Sequence, residues 1–124
     1  MSEIPRRVDK PWGHEIWWAR TDRYVGKILH VRRGESLSLQ FHRVKEETIR
    51  LLGGRLLFES GPADAPGELR RQELVPGDTV HIPPRTVHRM TGIEDCDILE
   101  VSTPELDDVV RLEDRYGREG TSQP

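Results

Sequence analysis

Cysteine, lysine, aromatic residues and long apolar runs are all scarce in this chain, and each shortage closes off a class of protein. The single cysteine, Cys96, excludes an intramolecular disulfide and the stapled extracellular scaffolds that depend on them. No apolar run approaches a signal-peptide core or a membrane span, so the chain reads as cytoplasmic, with no membrane partner. Lysine occurs only at Lys10, Lys27 and Lys45, and the arginines are scattered along a chain of net charge −3. That leaves no basic patch for a phosphodiester backbone, and nucleic acid is set aside as a partner. A length of 124 residues supports one hydrophobic core, and 1–124 is read as a single domain.

What is abundant is punctuation. The chain holds Gly 11 and Pro 9, which mark tight turns between short segments, and an all-β fold class follows. After a loose polar start over 1–9 come Trp12, Trp17 and Trp18, read as core or as an inter-subunit anchor, with His14 as a surface or packing histidine. Residues 24–32 and 48–52 have strand composition, Gly53-Gly54 reads as a hairpin turn into 55–59, and 60–67 as a loop. A charged edge strand is expected over 68–74. Short strands follow at 79–82 and from Thr86, separated by Pro83-Pro84, and a last one at 98–102. The tail 105–115 carries acidic residues early and arginines late, matching the dipole of a short helix.

The most informative stretch is 36–42. Leu37, Leu39 and Phe41 alternate with Ser36, Ser38, Gln40 and His42, the period of two of a strand. If the polar set faces inward, the apolar set needs a cover, and a homodimer is expected on that ground. Gln40 and His42 then share a face that Glu47 can join from the same hairpin, with His88 arriving from an adjacent antiparallel strand. Two imidazoles, a carboxylate and an amide oxygen suit a divalent ion such as Zn²⁺, Mn²⁺, Fe²⁺, Co²⁺ or Ni²⁺. Taken singly, a strand histidine is more often hydrogen-bonded than metal-bound, and Glu47 in a Lys-Glu-Glu run is more often a solvated charge. The joint spacing, followed by Pro-Gly-Asp and Ile-Pro-x-x-x-x-His, favours the metal reading. His81 alternates with Val80 and Ile82 and is read as facing the cavity, a substrate contact.

Several motifs carry a family likeness: Lys10-Pro11-Trp12-Gly13, the run Gly34-Glu35-Ser36-Leu37-Ser38-Leu39-Gln40-Phe41-His42, the corner from Ile82-Pro83 to His88-Arg89, Glu100-Val101, and Tyr116-Gly117-Arg118. In these the chain resembles the cupin superfamily, and more narrowly the type II phosphomannose isomerase (mannose-6-phosphate isomerase) barrel found behind a mannose-1-phosphate guanylyltransferase. The resemblance implies a double-stranded β-helix, a jelly-roll-like barrel, with its core over about 24–103, a tryptophan-rich arm over 10–20 and a helical tail over 105–118. It implies one divalent metal, commonly zinc, held by residues matching Gln40, His42, Glu47 and His88.

The implied activity is interconversion of mannose 6-phosphate and fructose 6-phosphate through an enediol, in polysaccharide and carbohydrate metabolism. Arg89 and Lys27 match family residues placed for catalysis, while His81, Arg85 and Glu100 are candidate substrate contacts. Lys27, His81 and Glu100 stay open as the general base, and Arg89, Lys27, Arg32 and Arg85 as phosphate ligands. Three departures stand beside these matches: Thr48-Ile49 where the family has His-Trp, Lys45 where it has arginine, and Met90-Thr91-Gly92 in place of an asparagine-containing segment. No nucleotide-binding loop is present, so nucleotidyl transfer is not implied. A non-catalytic sugar-binding barrel and, less in keeping with Gln40, a metal-dependent oxygenase are the alternatives.

Overall fold

The computed structural model describes residues 5–65 and 67–120. Among these it forms strands and no helix: β1 (Arg6–Lys10), β2 (Gly13–Arg20), β3 (Val25–Val31), β4 (Leu39–Phe41), β5 (Glu47–Gly53), β6 (Leu56–Pro62), β7 (Arg70–Leu74), β8 (Thr79–Ile82), β9 (Thr86–Gly92), β10 (Cys96–Ser102) and β11 (Val110–Glu113). One sheet has the order β1-β2-β3-β10-β5-β8 and the other β11-β4-β9-β6-β7, with every pair antiparallel. Strands distant in sequence, such as β3 and β10 or β6 and β9, lie side by side. This is the wrapped topology of a double-stranded β-helix, as expected.

Alternation sends one residue in two between the sheets. Leu29, Val31, Ile49, Leu51 and Ile98 from the first sheet meet Leu56, Phe58, Leu74 and Met90 from the second. Each such side chain contributes about 1.5–3 kcal/mol on burial. Trp12 plugs one end of this core, while Gly13 passes so close to the His30 carbonyl that a Cβ there would sit 1.8 Å from its oxygen. The Pro-Trp-Gly motif therefore buries an indole and lets two backbones touch at the same corner. Gly54, at φ +85°, makes the β5–β6 turn expected of the paired glycines.

The structure corrects several local expectations. The start of the chain is not loose from Arg6 on, because β1 pairs with β2; residues 1–4 lie outside the described residues. Strand β6 runs on to Pro62, so the loop expected over 60–67 is shorter, and Pro66 within it also lies outside the described residues. The expected helical tail is instead β11 followed by turns: Val110 and Arg111 pair with Phe41 and Gln40. Two β-branched residues and an unpaired edge on β4 outweigh a weak helical composition. Both sheets thereby recruit strands beyond 24–103.

The run 36–42 is not one regular strand. Ser36 bridges Thr91 and Gln40 pairs with His88, four residues advancing against three. The extra residue breaks the alternation, so Leu37 joins the core rather than an outer face. Leu39 is also buried within the single chain, which removes the patch that suggested a dimer. Exposed apolar side chains are scattered elsewhere; Trp18 and Val101 among them lie on the larger sheet, where the Trp18 ring covers Gly26.

Candidate metal centre

Gln40 and His88 face each other on paired strands of the smaller sheet, and His42 follows two residues after Gln40. Glu47 opens β5 in the other sheet, so the segment 43–46 crosses between sheets and the expected single hairpin is not formed. The crossing segment is held by Asp108, whose carboxylate accepts the backbone N–H groups of Arg43, Val44 and Lys45 at 3.1, 2.7 and 2.9 Å. His42, Glu47 and His88 converge, each offering a ligand atom within 4.8 Å of the others, and all are buried.

The hydrogen bonds around the two imidazoles set their chemistry. His42 Nδ1 donates to the Asp108 carbonyl at 2.6 Å and His88 Nδ1 to the Thr86 carbonyl at 2.8 Å. Both Nε2 atoms are thereby turned toward Glu47. Burial lowers the His42 pKa to about 4, with Lys45 and His88 adding to it against Glu47, so this ring is neutral at ordinary pH.

His88 Nε2 is buried without a hydrogen-bond partner and lies 3.3 Å from Glu47 Oε1; His42 Nε2 is 3.9 Å from the same oxygen. The neutral His42 ring turns an Nε2 lone pair toward this carboxylate, a repulsion that a cation among the three groups would offset. Two imidazole nitrogens and a carboxylate within reach of one another fit a divalent metal. Gln40 presents Nε2 to His42 Nε2 at 3.5 Å while its Oε1 accepts from Ser38 at 2.6 Å. Ligation through Oε1 needs a half-turn of the amide, after which the Ser38 hydroxyl accepts instead of donating.

A buried charge network backs the centre. Lys45 Nζ lies 3.2 Å from Glu47 Oε2 and 3.4 Å from Glu100 Oε2. Burial disfavours the Lys45 ammonium, but Glu100 and Glu47 outweigh that and raise its pKa. Burial likewise opposes charge on Glu47, yet Lys45 and then His88 hold its carboxyl well below the usual range. Glu100 goes the other way: burial raises it, the Glu47 and Glu15 charges add to the rise, and Lys45 and Lys27 only partly offset them. Lys27, paired in register with Glu100, binds Glu15 at 3.3 Å and sits 4.7 Å above the Trp17 ring.

Of the residues singled out in the sequence, Gln40, His42, Glu47, Lys27 and Glu100 line one cavity, and His88 adjoins it through Glu47. The others are not brought there. Arg89 alternates with His88 and points to the outside, where it binds Glu59 at 2.9 Å and Glu113 at 3.2 Å. His81 is exposed, and its Nε2 donates to the Glu46 carboxylate at 2.6 Å on the outer face. Arg85 is exposed with φ 62°, and its backbone N–H holds the His42 carbonyl at 2.7 Å.

Sequence reasoning missed Lys45 and Asp108 as supports of the site. The Lys45-Glu46-Glu47 run was the available signal for the first, since it sets a cation two residues before a proposed ligand carboxylate; Asp108 was hidden in a segment of helical composition. Among the departures, Ile49 is fully buried in the core and Thr48 faces the other side of β5, so neither lines the cavity. Lys45 retains the positive charge of the arginine it replaces.

Comparison with known proteins agrees with this architecture. The family model described as mannose-6-phosphate isomerase C-terminal matches residues 1–114. A mannose-1-phosphate guanylyltransferase of Escherichia coli strain K12 is 32% identical over 120 residues, which is 93% of this chain and 24% of that protein. The alginate biosynthesis protein AlgA of Pseudomonas aeruginosa is 31% identical over 122 residues, 94% of this chain and 24% of that protein. The chain thus spans about a quarter of the length of these curated relatives. A cupin superfamily protein from Desulfitobacterium hafniense DCB-2 superposes with a TM-score of 0.61 at 19% identity, over 72% of this chain and 74% of that one. No helix among the described residues is long and apolar enough to cross a membrane. With a cupin barrel as its fold and a family model matched along nearly its whole length, the chain belongs to the mannose-6-phosphate isomerase C-terminal family.

Proposed function

We propose that this protein is a metal-dependent sugar-phosphate isomerase that interconverts mannose 6-phosphate and fructose 6-phosphate in the cytoplasm. The observation that carries this reading is the convergence of His42, Glu47 and His88 beside a cavity that also holds Glu100, Lys45 and Lys27. Gln40, His42, Glu47 and His88 are the proposed ligands, and zinc is the proposed metal, with manganese, iron, cobalt and nickel as alternatives. When bound, the ion supplies a Lewis acid for the neighbouring sugar oxygens.

The chain's own groups do the rest. Glu100, raised by burial, serves as the base that takes the proton from C2 and returns it to C1 of the enediol. The O2 proton passes to O1, so isomerisation leaves the composition unchanged. Lys45 holds Glu47 and Glu100 apart in charge, and Lys27, fixed by Glu15 and Trp17, steadies negative charge developing on the sugar oxygens. Of the departures from the family, Thr48 and Ile49 lie off the cavity, while Lys45 and Met90 line it, the first keeping the positive charge of the arginine it replaces.

The proposed assembly is a homodimer through the outer face of the larger sheet, where Ile16, Ile28 and Leu99 form one cross-strand row next to Trp18 and Val101.

The test is metal content by mass spectrometry together with conversion of mannose 6-phosphate, for the wild type and His42→Ala. One bound divalent ion and turnover are expected in the wild type, with both lost in the variant. Absence of metal after reconstitution would sink the reading; metal and sugar-phosphate binding without turnover would replace it with a binding module.

A further inference from the structure

Among the described residues, Arg85 alone apart from glycines has a left-handed backbone, with φ 62°. Long side chains rarely adopt this conformation, and glycine or asparagine would occupy it at less cost. Two hydrogen bonds hold the backbone there: the Arg85 N–H donates to the His42 carbonyl at 2.7 Å, and the Arg85 carbonyl accepts the Ala63 N–H at 3.1 Å. Either bond could be made equally well by a glycine. The Arg85 side chain is exposed, and its guanidinium has no ion-pair or hydrogen-bond partner among the described residues. Nothing within the chain accounts for an arginine at this corner.

The same two hydrogen bonds tie three segments around a groove of about 390 Å³, lined by Phe41, Pro62, Ala63, Asp64 and Arg85. That is room for a single small ligand. The groove shares no lining residue with the cavity of the metal centre. Phe41, Pro62 and Ala63 give it an apolar part, and Arg85 and Asp64 a charged one. The Arg43 guanidinium flanks it, 5.9 Å from the centre of the Phe41 ring. Neither Arg43 nor Asp64 makes a side-chain ion pair among the described residues.

We propose that this groove is a second ligand site, for a pyranose that carries one carboxylate: a uronate. It stands independently of the isomerase reading of the metal centre. A neutral sugar would leave both guanidiniums unused. An apolar acid would cover Asp64 without offering it a hydrogen-bond donor, at the cost of its hydration. A phosphate monoester brings close to two negative charges beside Asp64, whereas one carboxylate with Asp64 balances the two arginines. The planar fork of Arg85 matches a carboxylate bidentately, Asp64 accepts from ring hydroxyls, and Phe41 and Pro62 meet the C–H face of the ring.

The experiment is NMR titration of the full chain, zinc-loaded and zinc-stripped, with glucuronate, glucose, glucose 6-phosphate and hexanoate. Wild type is expected to bind glucuronate at least about tenfold tighter than each of the others, with the same affinity whether or not zinc is present. Arg85→Gly keeps the N–H that holds His42 and accepts the left-handed backbone freely, so it should bind glucuronate about tenfold more weakly with no fall in Tm. Arg85→Lys, which keeps the charge and loses the fork, should fall between the two. Asp64→Asn should narrow the preference for glucuronate over glucose 6-phosphate.

Equal affinity for glucuronate and glucose, or an Arg85→Gly variant that binds glucuronate like wild type, would overturn the site. Glucuronate binding that disappears with zinc would place the sugar at the metal centre and overturn it as well. Tighter binding of hexanoate or of glucose 6-phosphate than of glucuronate would refute the uronate assignment.

Discussion

Asp108 offers the sharpest test of how the fold builds the site. Its carboxylate gathers three consecutive backbone N–H groups at 3.1, 2.7 and 2.9 Å, and its carbonyl takes the His42 Nδ1 proton at 2.6 Å. Asp108→Ala removes the first set and keeps the second, so any change at His42 comes from loosening of the crossing segment 43–46. The freed N–H groups are partly open to water, which places the cost at about 2 kcal/mol, within the range for hydrogen bonds to a charged group. For a domain of this size that corresponds to a fall in Tm of about 5–10 °C.

Metal affinity should fall by about 10–100-fold, the usual effect of disturbing what orients a ligand. Asp108→Asn, which keeps one acceptor oxygen in place, should recover about half of each loss. The pH dependence follows from the same contacts. Burial opposes charge on Asp108, but the N–H groups of Lys45, Val44 and Arg43 outweigh it and lower its pKa. A depressed carboxylate stabilises the fold above its unfolded pKa of about 3.9 and loses that contribution as pH falls through the lower folded value. The gap between wild type and Asp108→Ala should therefore be full at neutral pH and close only below about pH 4. Thermal melts from pH 3 to 8 and zinc titrations measure both effects. An alanine variant with unchanged Tm and zinc affinity would refute the clamp.

Lys45→Met should destabilise the protein by about 3–5 kcal/mol in denaturant titrations, because it leaves Glu47 and Glu100 buried without their shared cation; an unchanged midpoint would show that the two carboxylates do not depend on it. Arg89→Ala should lower stability by about 1–3 kcal/mol through loss of the Glu59 pair yet leave zinc binding and turnover intact. A loss of turnover at unchanged stability would put Arg89 in the chemistry after all. Trp18→Lys should convert a dimer to monomer in light scattering, since Trp18 is 43% exposed on the apolar sheet face; a wild type that is monomeric at micromolar concentration would dispose of that interface.

The sequence by itself determined the fold class and four ligand candidates, because both rest on local signals. Alternation and glycine-proline punctuation mark strands wherever they lie, and Gln-x-His with a later glutamate and histidine is a spacing that survives folding. The convergence of His42, Glu47 and His88 was legible for that reason. Where the barrel wraps was not legible, and three readings failed with it.

The tail 105–115 became a strand because β4 offered an edge that no local propensity reveals. Leu37 turned inward because one extra residue against Thr91 and His88 reversed its face. Arg89 lies outside because it alternates with the inward His88, and His81 because alternation says which residues share a face, not which face is inner. Only the tertiary structure set Lys45 between two carboxylates, brought Asp108 under the crossing segment, and gathered Lys10, Arg111 and Arg118 from opposite ends of the chain around one cavity. Those arrangements depend on contacts between residues far apart in sequence, and such contacts exist only once the two sheets have closed on each other.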